Sequence, residues 1–319
     1  MLRLPLSILS PAGSRGRLSV LIFHRVLPRP DPLFPELPDS VDFERQMRWA
    51  GSLFNVLPLS EAIDRLFAGT LPSRALAVTF DDGYADNETL AAPILRRLGM
   101  SATFFVATGF LGGGCMWNDQ VIEAIRDCEA GELDLTSFGL ARFPLASTEA
   151  RRAAISNTLK GIKHFEPARR QAVTDAIVAL AGAKPSPALM MQPGQLRSLR
   201  ALGMAVGAHT VTHPILTRLD PTAAFAEMRD SKEELERILR EPVGLFAYPN
   251  GVPGQDYAAE HARMARECGF GGAVSTAWGA GSASSDRFQL PRFTPWDRTR
   301  FRYGARLLAN LARDESRAS

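Results

Sequence analysis

The stretch Leu76-Ala-Val-Thr-Phe-Asp-Asp-Gly-Tyr-Ala-Asp-Asn87 carries an apolar, partly β-branched run straight into two adjacent acids and a glycine. An apolar run of that length bounded by turn residues reads as a strand buried on both faces. Buried strands of this kind belong to parallel sheets, where the groups that do chemistry gather at the strands' carboxyl ends. Asp81 and Asp82 would then stand at the mouth of an α/β fold. A plainer reading has one of them capping the following helix while Gly83 makes the turn. Taken alone, the pair fits either.

The surrounding pattern supports the parallel sheet. Ser19 to Phe23 reads as a strand ended by His24, Ala75 to Phe80 as the next, and Ala102 to Val106 as a third, with helical patterns at 43–51, 60–68 and 87–98 between them. From about Trp117 to Ala183 helical periodicity takes over, which predicts a helical insertion at about 115–190. Alternation then resumes through strands at 205–208, 245–248 and 272–275. The expected organisation is an N-terminal arm over 1–18, one domain over 19–300 and a tail over 301–319.

Composition excludes several classes. With 37 basic and 34 acidic residues the net charge is +3, and no run of five basic residues occurs, so nucleic acid is not an expected partner. Three cysteines without a CxxC pair argue against a disulfide framework. The N-terminus is a poor signal peptide, its apolar piece being broken by Pro5 and Pro11, and no window reaches the ~20 apolar residues of a membrane span. A cytoplasmic location is expected, with a peripheral membrane contact through the arm left open.

A second constellation changes the weight of the first. His209-Thr-Val-Thr-His213 places two of the chain's five histidines four apart at the end of a strand. On a helical turn that spacing puts both imidazoles on one face, where they can converge on one ion. Two histidines and a carboxylate form a facial set for a divalent metal with positions left open, and Asp82 is the natural third ligand. Asp81 is then free to take a proton from water.

Thr79-Phe-Asp-Asp-Gly83 and His209-Thr-Val-Thr-His213 resemble the first two motifs of the polysaccharide deacetylase family, carbohydrate esterase family 4. The resemblance implies a distorted (β/α)7 barrel that removes acetyl groups from N-acetylated glycans. It implies Asp81 as catalytic base and a divalent metal, zinc first and cobalt or nickel as alternatives, on Asp82, His209 and His213. The family's third motif carries an arginine where this chain has Ala247, in Leu245-Phe-Ala-Tyr-Pro-Asn-Gly251. By resemblance Tyr248, Pro249 and Asn250 would line the substrate, the Asn250 backbone N–H facing the oxyanion, and Arg292 would replace the missing arginine.

The last motif's histidine has no counterpart after residue 261, whereas Val20-Leu-Ile-Phe-His24 has its form at the front of the chain. Exopolysaccharide poly-N-acetylglucosamine deacetylases resembling this chain have that permuted order, which implies His24 as general acid. Tyr84, beside the acid pair, is a candidate for stacking on a sugar. Two other readings stay open: a related barrel hydrolase cutting a non-sugar amide C–N bond, and an inactive carbohydrate-binding relative.

Overall fold

The computed structural model describes residues 2–183, 188–294, 296–313 and 316–318. The expected arm, insertion and tail include Met1, 184–187, 314, 315 and 319, which lie outside the described residues. The chain divides into two compact units. One comprises Met1–Arg29, Pro38–Leu111 and Met191–Ser319, the other Pro30–Leu37 and Gly112–Met190.

The larger unit is built on a curled parallel sheet. Its strands are β1 (Leu18–Phe23), β2 (Asn55–Val56), β3 (Ala75–Phe80) and β4 (Thr103–Val106). The short strands β5 (Glu132–Asp134) and β6 (Arg142–Pro144) lie in the smaller unit, and β7 (Ala205–Ala208), β8 (Leu245–Ala247) and β9 (Gly272–Val274) complete the sheet. They pair in the order β1-β3-β4-β7-β8-β9, with β2 laid against the start of β3. The seam between β9 and β1 is spanned by residues 290–293. Leu290 bridges to Val274 on one side and Phe293 to Leu21 on the other, both parallel. The parallel α/β barrel expected from the sequence is therefore the fold, and its distortion lies at that seam, where isolated bridges replace a ladder.

Alternation along β3 positions the chemistry. Leu76, Val78 and Phe80 join the apolar layer beneath the surrounding helices, whereas Ala75 and Ala77 join the opposite layer with Val20, Phe105, Ala247 and Val274. A period of two continues that inner face through Thr79 to Asp81. The outer layer is anchored by an aromatic run, Phe23 on Phe80 and Phe80 on Phe104, with ring centroids 5.4 and 4.7 Å apart. Each such ring contributes about 1.5–3 kcal/mol by leaving water.

The helices are α1 (Arg3–Leu9), α2 (Ser40–Leu53), α3 (Leu59–Phe67), α4 (Ala92–Arg97), α5 (Trp117–Asp127), α6 (Thr148–Ile162), α7 (Pro167–Leu180), α8 (Pro193–Ala201), α9 (Pro221–Leu239), α10 (Ala259–Glu267) and α11 (Arg300–Leu311). Three details differ from the sequence reading. The arm and the tail are not plain extensions, since α1 and α11 pack on each other and Leu6 and Leu307 are fully buried. The helix expected over 87–98 opens with a π-helical turn at Asn87–Ala91 before α4. The smaller unit holds α5, α6 and α7, and also a hairpin of β5 (Glu132–Asp134) and β6 (Arg142–Pro144), each too short to leave a period in the sequence.

Candidate active site

Three loops at the carboxyl ends of β3, β7 and β8 bear most of the backbone strain. Of the six non-glycine residues with positive φ among the described residues, four are Asp82 (77°), Thr210 (65°), His213 (55°) and Asn250 (61°). Left-handed backbone at such residues costs on the order of 1–3 kcal/mol each, and it persists only where the surroundings dictate it. Gly83 (φ 90°) follows Asp82 in the same region, and a Cβ there would lie 2.9 Å from Val106 Cγ1. Only glycine lets the loop turn this closely against β4.

The turn aims the two carboxylates differently. Asp81, fully buried, is gripped by Arg292 through two bonds, Nη1 donating to Oδ1 at 2.6 Å and Nη2 to Oδ2 at 2.7 Å. Arg292 is 0% exposed, and its Nε donates to the Ser275 carbonyl while Nη1 also reaches Thr79 Oγ1 at 3.2 Å. Burial alone would raise the Asp81 carboxyl, but the guanidinium outweighs it and holds the group below the ordinary carboxylate range. Asp82 points the other way. Its Oδ1 is buried without a hydrogen-bond partner, 3.5 Å from His209 Nε2 and 3.4 Å from His213 Nε2. Neither acid caps a helix, so the capping alternative does not describe this loop.

The histidines meet through a device the spacing did not predict. Residues 209–213 are not a helical turn but an irregular loop with left-handed residues at Thr210 and His213. Thr210 Oγ1 accepts the His213 N–H at 3.1 Å and folds the loop back, which brings the two rings to 4.8 Å between centroids. His209 Nδ1 lies 2.7 Å from the Ala247 carbonyl, an acceptor, so Nδ1 carries the proton and Nε2 presents its lone pair to Asp82. Ala247, which by resemblance stands at the position of a motif arginine, thus contributes through its backbone.

The loop is tied down by a residue that the sequence reading passed over. Glu227 of α9 accepts the backbone N–H groups of Val211 and Thr212, both at 2.8 Å, and the Thr212 hydroxyl at 2.7 Å. In the sequence it is one acid on a charged helix, 14 residues beyond His213, and nothing marks it. Replacing Glu227 by Ala leaves two loop N–H groups without their acceptor. The expected result is a fall of about 10- to 100-fold in divalent-metal affinity, measured by chelator competition with zinc as the probe, with Glu227→Gln falling less.

One ligand atom from each of Asp82, His209 and His213 lies within 4.8 Å of the other two. Metal–nitrogen bonds of about 2.0–2.1 Å in a tetrahedron set donors roughly 3.3–3.4 Å apart, close to the separations from Asp82 to each ring. Burial opposes charge on every member. Even so, Asp81 and Asp82 push His209 up, the imidazoles hold Asp82 well below its usual range, and burial takes His213 down to about 4. The site draws positive charge to one point and keeps His213 neutral, which is the state that ligates. An orphaned buried oxygen facing two imidazole nitrogens fits a divalent cation.

His24 ends β1, next to β3, and lies near enough to Asp81, Asp82 and His213 to influence their ionisation. Its ring is exposed, and its carbonyl accepts from Asn87 Nδ2 at 2.8 Å. Asn250 sits in its left-handed turn with its carbonyl accepting from Thr276 Oγ1. Pro249 precedes it, buried. Two of the candidate substrate contacts need correction. Tyr248 is 0% exposed, stacked on Tyr257 at 4.0 Å, with its hydroxyl donating to the Phe288 carbonyl. Tyr84 is 4% exposed and lies under the Arg25 guanidinium. Neither ring has a face to offer a sugar, because each spends it on packing.

The comparisons agree with this geometry. The sequence profile of the family described as polysaccharide deacetylase matches residues 68–272, more than half of the chain. The protein YxkH of Bacillus subtilis (strain 168) is 22% identical over 279 residues, covering 87% of this chain and 71% of that protein. Among solved structures, the deacetylase PplD of Streptococcus pyogenes in complex with acetate is similar at a TM-score of 0.61 and 19% identity, covering 93% of this chain and 99% of that one. IcaB from Ammonifex degensii is similar at 0.57 and 18%, covering 95% and 98%. At these identities the two structures speak for the fold, and the profile speaks for descent. The chain belongs to the polysaccharide deacetylase family, carbohydrate esterase family 4, whose members are hydrolases acting on amide C–N bonds.

Proposed function

We propose that this protein removes N-acetyl groups from the amino sugars of a polysaccharide or its precursor and releases acetate. The observation that carries the reading is the convergence of Asp82, His209 and His213 beside an Asp81 that Arg292 keeps ionised, at the open end of the barrel. The order of the chain, with the His24 strand first and beside β3, supports a polymer of the poly-N-acetylglucosamine kind.

Asp82, His209 and His213 would hold the cation, zinc or in its place cobalt or nickel. When bound, it would supply Lewis acidity toward the acetamide carbonyl and lower the pKa of a water toward ~7. The chain's own groups do the rest. Asp81 accepts a proton from the water as its oxygen bonds to the carbonyl carbon. Arg292 holds both Asp81 oxygens and so fixes which way the carboxylate faces. The Asn250 N–H donates to the carbonyl oxygen as that atom gains negative charge. His24 gives a proton to the sugar nitrogen as the C–N bond breaks, leaving a free amine and acetate.

The test is acetate release from N-acetylglucosamine oligomers. Release is expected, lost on chelation and regained with zinc, cobalt or nickel. Protein that binds the metal and the oligomers but frees no acetate would sink the reading.

A further inference from the structure

Basic residues are unevenly distributed over the chain. Residues 1–23 and 298–313 together hold eight arginines and no acid, while the remainder holds 29 basic residues against 34 acidic ones. The fold joins these two acid-free segments. Leu2, beside α1, packs so closely on α11 that a Cβ at Gly304 would lie 2.5 Å from Leu2 Cδ1. Arg3 at the start of α1 donates to the Ser52 carbonyl, and Arg300 at the start of α11 donates to the Ser52 hydroxyl.

Large apolar side chains project from the same two helices. Leu4 and Ile8, one helical turn apart on α1, are 71% and 69% exposed, and Phe301 on α11 is 70% exposed. Along the chain Arg3 adjoins Leu4, and Arg300 and Arg302 adjoin Phe301, all exposed. Leu6 and Tyr303, from the same two helices, are buried, so the outward turn of Leu4, Ile8 and Phe301 is not forced by a shortage of interior.

We propose that this face seats the protein on an anionic lipid surface. A few protruding apolar side chains set among arginines insert at the boundary between headgroups and acyl chains, and each arginine near an anionic surface adds about a fivefold gain in affinity. A stable protein partner would require some 20–30 residues a side, far more than this patch offers. The face lies at the end of the barrel away from the chemistry. Ser52 leads into β2, which pairs with Ala75 and Leu76 at the start of β3, and Asp81 follows the other end of that strand. A protein seated this way turns its site outward from the membrane, toward a polymer chain.

The test is sedimentation of the full chain with phosphatidylcholine vesicles, with and without phosphatidylglycerol. Binding is expected only with the anionic lipid, and weaker as salt is raised. The triple variant Leu4→Ser, Ile8→Ser, Phe301→Ser should lose at least about tenfold in binding. Arg300→Gln and Arg302→Gln should each lose about fivefold. Acetate release from soluble oligomers and the melting temperature should stay as in the wild type, which separates this proposal from the catalytic reading. No binding to anionic vesicles at low salt, or binding that the triple variant leaves intact, would overturn it. So would a wild-type dimer that the triple variant dissociates without any vesicle binding, which would make the face a contact between copies.

Discussion

Asp81→Asn is expected to retain the metal and lose acetate release by about 10²- to 10⁴-fold, the range that a positioned acid or base supplies. The amide keeps the carboxylate's shape but cannot take a proton from water. Because Asn leaves the buried Arg292 charge without its partner, the variant should also be less stable, and metal content is to be read on protein shown folded by circular dichroism. Asp82→Asn behaves differently. It replaces the charged donor of the three-residue set by a neutral one, so metal and turnover fall together. Equal metal loss in the two variants would refute the division of labour between adjacent acids.

The arrangement behind this expectation was legible in the sequence only in part. A buried strand running into two acids, and a histidine pair ending another strand, are patterns that few structural roles explain, so the donor set could be picked out. The geometry behind it could not. Four-residue spacing suggested a helical turn for His209 and His213, whereas the chain uses left-handed residues at 210 and 213 and the carboxylate of Glu227. Backbone dihedrals of threonine and histidine leave no mark in composition, and an acid on an exposed helix reads as solvated.

Aromatic residues misled for a related reason. Tyr84 and Tyr248 adjoin the motifs, and adjacency along the chain does not say whether a ring faces the mouth or the interior. The hairpin of β5 and β6 escaped because three-residue strands show no periodicity. The helices α1 and α11 escaped because their buried faces exist only once the chain is folded, against each other, α2 and β1.

Arg292→Met should act on stability and on pH dependence at once. In the wild type the guanidinium, itself 0% exposed, has an acceptor for each of its nitrogens, and Asp81 receives two of those bonds. Removing the cation leaves Asp81 buried with only the imidazoles of His209 and His24 near its charge, and breaking such a buried pair costs about 3–5 kcal/mol. For a chain of this length the unfolding entropy is roughly 0.7 kcal/mol per degree, so the melting temperature should drop by roughly 4–8 °C. The sign of the titration follows from the causes acting on Asp81. Burial raises its carboxyl, while Arg292, then His209 and His24, lower it, so removing Arg292 takes away the largest lowering cause and the group holds its proton to higher pH than in the wild type. The acid limb of the rate profile should therefore move upward, with activity near neutrality falling and partly returning as pH rises. Arg292→Lys keeps a charge but not the two-pronged grip, so it should shift the limb less than Met does. A methionine variant with the wild-type melting temperature and an unmoved acid limb would mean that Arg292 neither stabilises the core nor sets the ionisation of Asp81.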